Sequence, residues 1–299
     1  MGELIFRAMG CEVAVLSDQP IDLTAVPQWF EAWEQTLSRF RPNSELMSLN
    51  RRAGRPLAVS QTLWDVLGLA LDAAAWSNGL VVPTILPALL NAGYDRSFEL
   101  LANALGDSAV WPAQPPIALA ISLREQGHLV QLARDTALDL GGIAKGWAAD
   151  RAAEQLGHHA ACLVDVGGDL ATAGQRHDGL AWAVGVPNPH TQEREAMLWF
   201  ASGGVATSGV DYRRWRKGDR WLHHLIDPRT GEPSTSDVLS ATVIAPSAAQ
   251  AEVAAKIVVL LGIEQGLAWI NQHPSFACMA FEHSGQSHVC ERFNQYRWE

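Results

Sequence analysis

Charged residues make up only 18% of the 299 residues, tyrosine occurs three times and cysteine four. The cysteines, Cys11, Cys162, Cys278 and Cys290, are too far apart in sequence for a zinc knuckle or a Cys-x-x-Cys redox pair. Cys162 and Cys278 lie in apolar runs and read as reduced core residues. No disulfide framework is indicated, which fits a reducing compartment. Basic residues are also scarce: Lys and Arg total 22 against 32 Asp and Glu, a net charge of -10. Such a chain repels phosphate backbones, so nucleic acid is not an expected partner. A single small phosphate ligand stays open, because a site can be locally positive. No stretch reaches the roughly 18 apolar residues of a membrane span. The first eleven residues, MGELIFRAMGC, lack the apolar run of a signal peptide. Phe6 stands where a myristoylation signal needs Ser or Thr. A cytoplasmic protein without membrane attachment is the expectation.

Apolar material is ample at 48%, enough for a core. The twelve tryptophans are scattered and read as packing residues, one or two of them near a ring-shaped ligand. A strand pair is expected at Glu3–Ala8 and Glu12–Leu16, turning at Gly10. Val26, Trp29, Phe30, Trp33 and Leu37 recur at helical steps and predict a helix over 24–39. Ser60 caps a second helix carrying Leu63, Val66, Leu67 and Leu71. Residues 77–118, with Pro83, Pro87, Pro112, Pro115 and Pro116, predict short helices and loops. Strands are expected at 128–133, 136–140, 161–166, 181–186, 197–207, 239–245, 276–282 and 287–293. Helices are expected at 146–156, 248–261 and 264–271. Helices early and strands late predict an α+β fold on a mixed or antiparallel sheet, as one domain over 1–299, in one or two lobes.

The stretch from Asp139 to Gly146, DLGGIAKG, carries the most chemistry. A strand is expected to end at Leu140, two glycines follow, and a helix starts beside Lys145. Glycines admit a ligand close to backbone N–H groups. A helix N-terminus attracts phosphate, and Lys145 adds a full charge. An ordinary strand–helix turn with a surface lysine accounts for the same residues equally well. The spacing is not that of a Walker loop. Val164 to Asp169 and Ser202 to Gly209 each end a further strand; either one alone reads as an ordinary turn, but three such turns suggest a shared cleft. In His223-His224-Leu-Ile226-Asp227-Pro228, His224 has the pKa range of a proton carrier, whereas Asp227 also suits a turn. Ser247 and Gln250 form a capping-box pattern, and Gly262 marks the helix end. Glu252 and Lys256, four residues apart, read on their own as a surface ion pair.

These pieces, in this order, resemble the FAD:protein FMN transferase family, also called the ApbE family. The matching segments are Met9-Gly10, Ser38 to Leu46, Asp139 to Gly146, Val166 to Asp169, Thr207 to Gly209, His224 to Gly231 and Ser240 to Gly262. They span nearly the whole chain. The resemblance implies an ApbE-like, T-fold-related architecture. It also implies transfer of the FMN half of FAD, with magnesium, to a threonine or serine of an acceptor protein, with AMP released. Met9, Phe40, Asp139, Gly141, Gly142, Lys145, Thr207 and Ile226 are then expected at FAD. His224 would serve as base, with Asp227 beside it in the motif. The Gly142 carbonyl and Glu252 would hold the metal.

This chain departs from the family pattern at three places. The last long helix of the family carries Ala-Asp-x-x-x-Thr, where this chain has Glu252 and Lys256. Glutamate can still ligate magnesium, but a protonated lysine cannot. Val82 stands where the family has aspartate, and Asp165 where asparagine is common. Three readings follow: a transferase with a reshaped metal site, a flavin-binding protein without transfer, or a pyrophosphatase giving FMN and AMP.

Overall fold

Alternating apolar residues and a tight turn make Gly2–Ala8 and Cys11–Ser17 an antiparallel hairpin, in register from Gly2 with Ser17 to Ala8 with Cys11. Its turn is Met9-Gly10, both at positive φ, the geometry that hairpin twist demands. In the computed structural model, which describes residues 1–101, 118–191 and 193–298, this hairpin opens an eight-stranded sheet. The order continues through Cys162–Val166, Asp169–Ala173, Gly203–Gly209, Val238–Ala245, Ala277–Glu282 and Ser287–Val289. Every ladder among the described residues is antiparallel. The fold is α+β, as expected.

The chain divides into two compact units, each assembled from separated segments. The first comprises 1–30, 145–211 and 235–299 and contains the eight-stranded sheet. Its central helix, Ala248–Leu261, packs against Gly203–Gly209 and Val238–Ala245. The sequence AAQAEVAAKIVVLL is apolar on nearly all sides, so the helix can be buried almost all round. Ser247 Oγ accepts the Gln250 N–H at 3.2 Å, which forms one half of the expected capping box. The reciprocal half is missing, since Gln250 Oε1 has no partner. Gly262, at φ 83°, closes the helix where expected.

The second unit comprises 31–144 and 212–234. Its longest helix, Gln61–Trp76, starts at Ser60, whose Oγ accepts the Leu63 N–H. The strands Leu57–Ala58, Ile121–Arg124 and Leu129–Leu132 form a small sheet. A hairpin of Arg214–Lys217 and Arg220–His223, not foreseen, packs Trp215 and Leu222 into a core with Leu89, Tyr94 and Ile226.

Three sequence expectations change. Residues 136–140 form no strand and join no ladder: Leu138 N–H donates to the Asn50 side chain and Asp139 N–H to the Pro83 carbonyl. These partners satisfy the backbone that a neighbouring strand would otherwise serve. The single strand expected over 197–207 is two. Arg194–Phe200 pairs with Trp182–Pro187, while Gly203–Gly209 joins the large sheet, the break falling at Ala201-Ser202. The last strand stops at Val289, and Glu291–Tyr296 is a 3-10 helix. Pro83–Ile85, Leu86–Asn91 and Phe98–Leu101 are the expected short helices, whereas Pro112, Pro115 and Pro116 lie outside the described residues.

Candidate active site

In the first unit the helix Ala144–Gly157 begins at the Gly-Gly-Lys turn, and its first turn lies directly on the central helix. A Cβ on Gly146 would stand 2.7 Å from the backbone of Ala248 and Ala249. That missing side chain lets the Gly146 N–H donate to Glu252 Oε2 at 2.9 Å. Asp150, one turn on, accepts the Ala248 and Ala249 N–H groups at 2.7 and 3.0 Å. Its carboxyl is pushed up to about 6 by burial, against the pull of those donors.

Around Glu252 four charges meet. Lys256 Nζ is 3.1 Å from Glu252 Oε1, and Lys145 Nζ is 3.6 Å from the same oxygen. Lys145 also donates to Asp169 at the start of its strand. Both carboxylates are only 1% exposed. The Glu252–Lys256 pair is therefore buried and not the surface bridge that its spacing suggested. Burial pushes the Glu252 carboxyl up, but Lys145, Lys256 and the Gly146 N–H outweigh it and hold it low. Burial raises Asp169, and the neighbouring Glu252 charge raises it further.

These contacts test the expected metal ligand. Glu252 Oε2 is taken by a backbone N–H and Oε1 by two ammonium groups. Lys256 carries no lone pair while protonated. The residues at this position do not fit a divalent ion. Gly142, the other expected ligand, lies in the second unit. Among the described residues no group of three or more His, Cys, Asp and Glu side chains is placed to hold a metal.

The other two glycine turns have plain structural roles. Gly167 and Gly168 form the two-residue turn joining Cys162–Val166 to Asp169–Ala173, and Gly168 N–H donates to Asp165. Gly204 seats the start of the central helix. Thr207 is exposed, and its hydroxyl meets Thr242 on the paired strand at 2.8 Å. Met9 is half-buried in the first hairpin turn.

In the second unit Asp139 Oδ1 accepts the Gly141 N–H at 2.8 Å and Oδ2 lies 2.5 Å from Arg39 Nε. The Arg39 guanidinium stacks 4.0 Å over the Phe40 ring and 4.6 Å over Tyr94. Tyr94 continues to Trp215 at 5.3 Å, and Ile226 packs in the same core. Burial raises the Tyr94 hydroxyl pKa. Phe40 remains 41% exposed, so this stack reaches the surface. Arg39, Tyr94 and Trp215 were not singled out from the sequence. Arg39 adjoins Phe40, but nothing local announces its partner one hundred positions later.

His224 is half-buried, and the adjacent His223 uses both ring nitrogens on the Ser234 carbonyl and the Leu225 N–H. Asp227 is buried, and its carboxylate is held by the Arg229 backbone and guanidinium at 2.7–3.1 Å. Its carbonyl accepts from Thr230 and Gly231. This is the work of a turn-stabilising carboxylate.

Residues 9–280 match the model of the ApbE family. Over 295 residues the chain is 32% identical to the FAD:protein FMN transferase of Treponema pallidum (strain Nichols), covering 91% of this chain and 81% of that protein. Its fold is that of the ApbE protein from Thermotoga maritima, with a TM-score of 0.87 at 23% identity over 100% and 99% of the two chains. It is similarly that of the flavin transferase ApbE from Vibrio cholerae, with a TM-score of 0.80 at 22% identity over 99% and 98%.

Proposed function

This chain belongs to the ApbE family, and from that premise we propose that it moves FMN from FAD to a threonine or serine hydroxyl of an acceptor protein. The observation that carries the reading is the family match over residues 9–280. The acceptor oxygen attacks the phosphorus of the FMN half. A new phosphoester bond forms, the bond to the AMP phosphate breaks, and AMP leaves with the electron pair. His224 takes the hydroxyl proton, a role for which an imidazole near neutrality is suited. Asp227 supports it by holding the turn that follows.

FAD recognition is assigned by unit. In the second unit, the surface-reaching Phe40 ring, backed by Arg39 and Tyr94, offers a flat surface for an aromatic ring of the ligand. Ile226 adds apolar backing, Asp139 orients Arg39 and holds the Gly141 N–H, and Gly142 offers its backbone N–H to phosphate. In the first unit, Met9, Lys145 and Thr207 take the roles that the resemblance gives them. The chemistry that magnesium supplies to such a transfer is neutralisation of charge on the diphosphate. The residues around Glu252 do not fit the ion. Among the described residues no helix is long and apolar enough to cross a membrane. The four cysteines are free thiols, which supports a cytoplasmic setting.

The test is to incubate the protein with FAD and a cell extract. AMP release together with a fluorescent, covalently flavinylated protein band supports transfer. AMP and free FMN without any acceptor would indicate a pyrophosphatase. FAD binding without AMP would indicate a flavin-binding protein. His224→Ala is expected to abolish transfer and keep FAD binding.

A further inference from the structure

Two ammonium groups and two carboxylates share one buried place in the first unit: Lys145, Lys256, Asp169 and Glu252. Side-chain exposure is 15%, 13%, 1% and 1% respectively. Their formal charges cancel. Lys256 Nζ binds both Glu252 Oε1, at 3.1 Å, and the Glu252 carbonyl, at 3.3 Å, so it is anchored at two points one helical turn back. The central helix is buried along this stretch, which leaves the lysine little freedom to leave for water.

Magnesium demands about six oxygen ligands at roughly 2.0–2.1 Å. The cluster offers none that is uncommitted at Glu252. A divalent ion brought within about 4 Å of one ammonium would be repelled strongly at the low effective dielectric of a buried site, twice as strongly as a monovalent one. With both ammonium groups present the carboxylates have no net charge left to offset that repulsion. Replacing Lys256 by a neutral residue leaves the cluster at -1.

We infer that the Lys256 ammonium is the resident cation at Glu252, closing that position to divalent metal ions, so that this chain handles the FAD diphosphate without a metal there. The part about FAD rests on the reading under Proposed function; the part about the cation does not. Lys256 pairs with Glu252 Oε1, and Glu252 Oε2 accepts the Gly146 N–H and thereby fixes the start of the Ala144–Gly157 helix. The helix start is thus organised by a covalently attached charge, at any metal concentration.

The experiment titrates Mn2+ into the flavin-free protein and follows the free-ion paramagnetic resonance signal. Wild type is expected to take up no stoichiometric Mn2+ at millimolar concentration. Lys256→Thr is expected to take up one ion per chain, and the double variant Lys256→Thr/Glu252→Gln none. Uptake of one ion by wild type that Glu252→Gln abolishes would overturn the inference, and this comparison stands even when Lys256→Thr fails to fold. A folded Lys256→Thr variant that takes up no ion would also overturn it, because Lys256 would not be the excluding group. In parallel, calorimetry with FAD in EDTA and in magnesium should give equal affinities for wild type. Affinity that appears only with magnesium counts against the inference. No FAD binding in either buffer, with the Mn2+ results as expected, sinks the flavin reading and leaves the cation assignment standing.

Discussion

A Cβ on Gly204 would stand 2.0 Å from the amide nitrogen of Ala248, so the central helix starts in direct backbone contact with the sheet. Gly204→Ala must therefore push the helix off the sheet. The expected cost is about 3 kcal/mol or more, the upper end for overpacking. Gly68, inside the Gln61–Trp76 helix, has nothing within 4 Å of its missing Cβ. Gly68→Ala should stabilise by about 0.5–1 kcal/mol. Urea midpoints of the two variants should move in opposite directions, and an unshifted Gly204→Ala would refute the contact.

Removing one member of the buried charge cluster strands another. Lys256→Met and Glu252→Gln should each cost about 3–5 kcal/mol. The double variant should cost less than the sum by about 1 kcal/mol or more, since the pair is in contact. Strict additivity in a double-mutant cycle would show that the two groups are not coupled.

Asp150 titrates near 6, above the ordinary carboxylate value. Between about 3.9 and that value the folded chain binds more protons here than the unfolded chain. Stability contributed by Asp150 is therefore complete at low pH and falls as pH rises through this window, by roughly 3 kcal/mol for a shift of about two units. Asp150→Asn should remove that slope. A carboxyl NMR titration of Asp150 with a midpoint below 4 would contradict the assignment.

Arg39 lies flat over Phe40 and Tyr94 while meeting Asp139. A planar guanidinium can do both, whereas a lysine ammonium cannot. Arg39→Lys is expected to weaken FAD binding on the order of tenfold, the loss of about 1–2 kcal/mol of cation–π and orientation energy. Calorimetry decides it, and an unchanged dissociation constant would remove this stack from FAD recognition.

Much of the fold was readable along the chain because its signals are local. The Ser60 and Ser247 caps act on N–H groups three residues ahead, and both helices begin where those serines stand. The hairpin at Met9-Gly10 is written in adjacent residues. The segment 136–140 reads as a strand but is none, because its backbone partners, Asn50 and Pro83, are more than fifty positions away and invisible to local pattern. The 197–207 run reads as one strand because its apolar residues resume directly after the Ser202-Gly203-Gly204 interruption. Only the sheet pairing separates its two halves.

The amino-acid sequence alone determined the α+β class, the family resemblance and the places where glycine turns, His224 and the Glu252/Lys256 substitutions occur. Those depend on residue identity and on spacing within a few turns. Tertiary structure decided what the same residues do. It turned Gly204 into a packing contact, set Asp227 on Arg229, and joined Arg39 to Asp139. It also buried Glu252 between Lys145, Lys256 and the Gly146 N–H. Burial, and partners brought in from distant segments, fix how strongly a charge is paired, and neither is encoded in the spacing of residues along one helix.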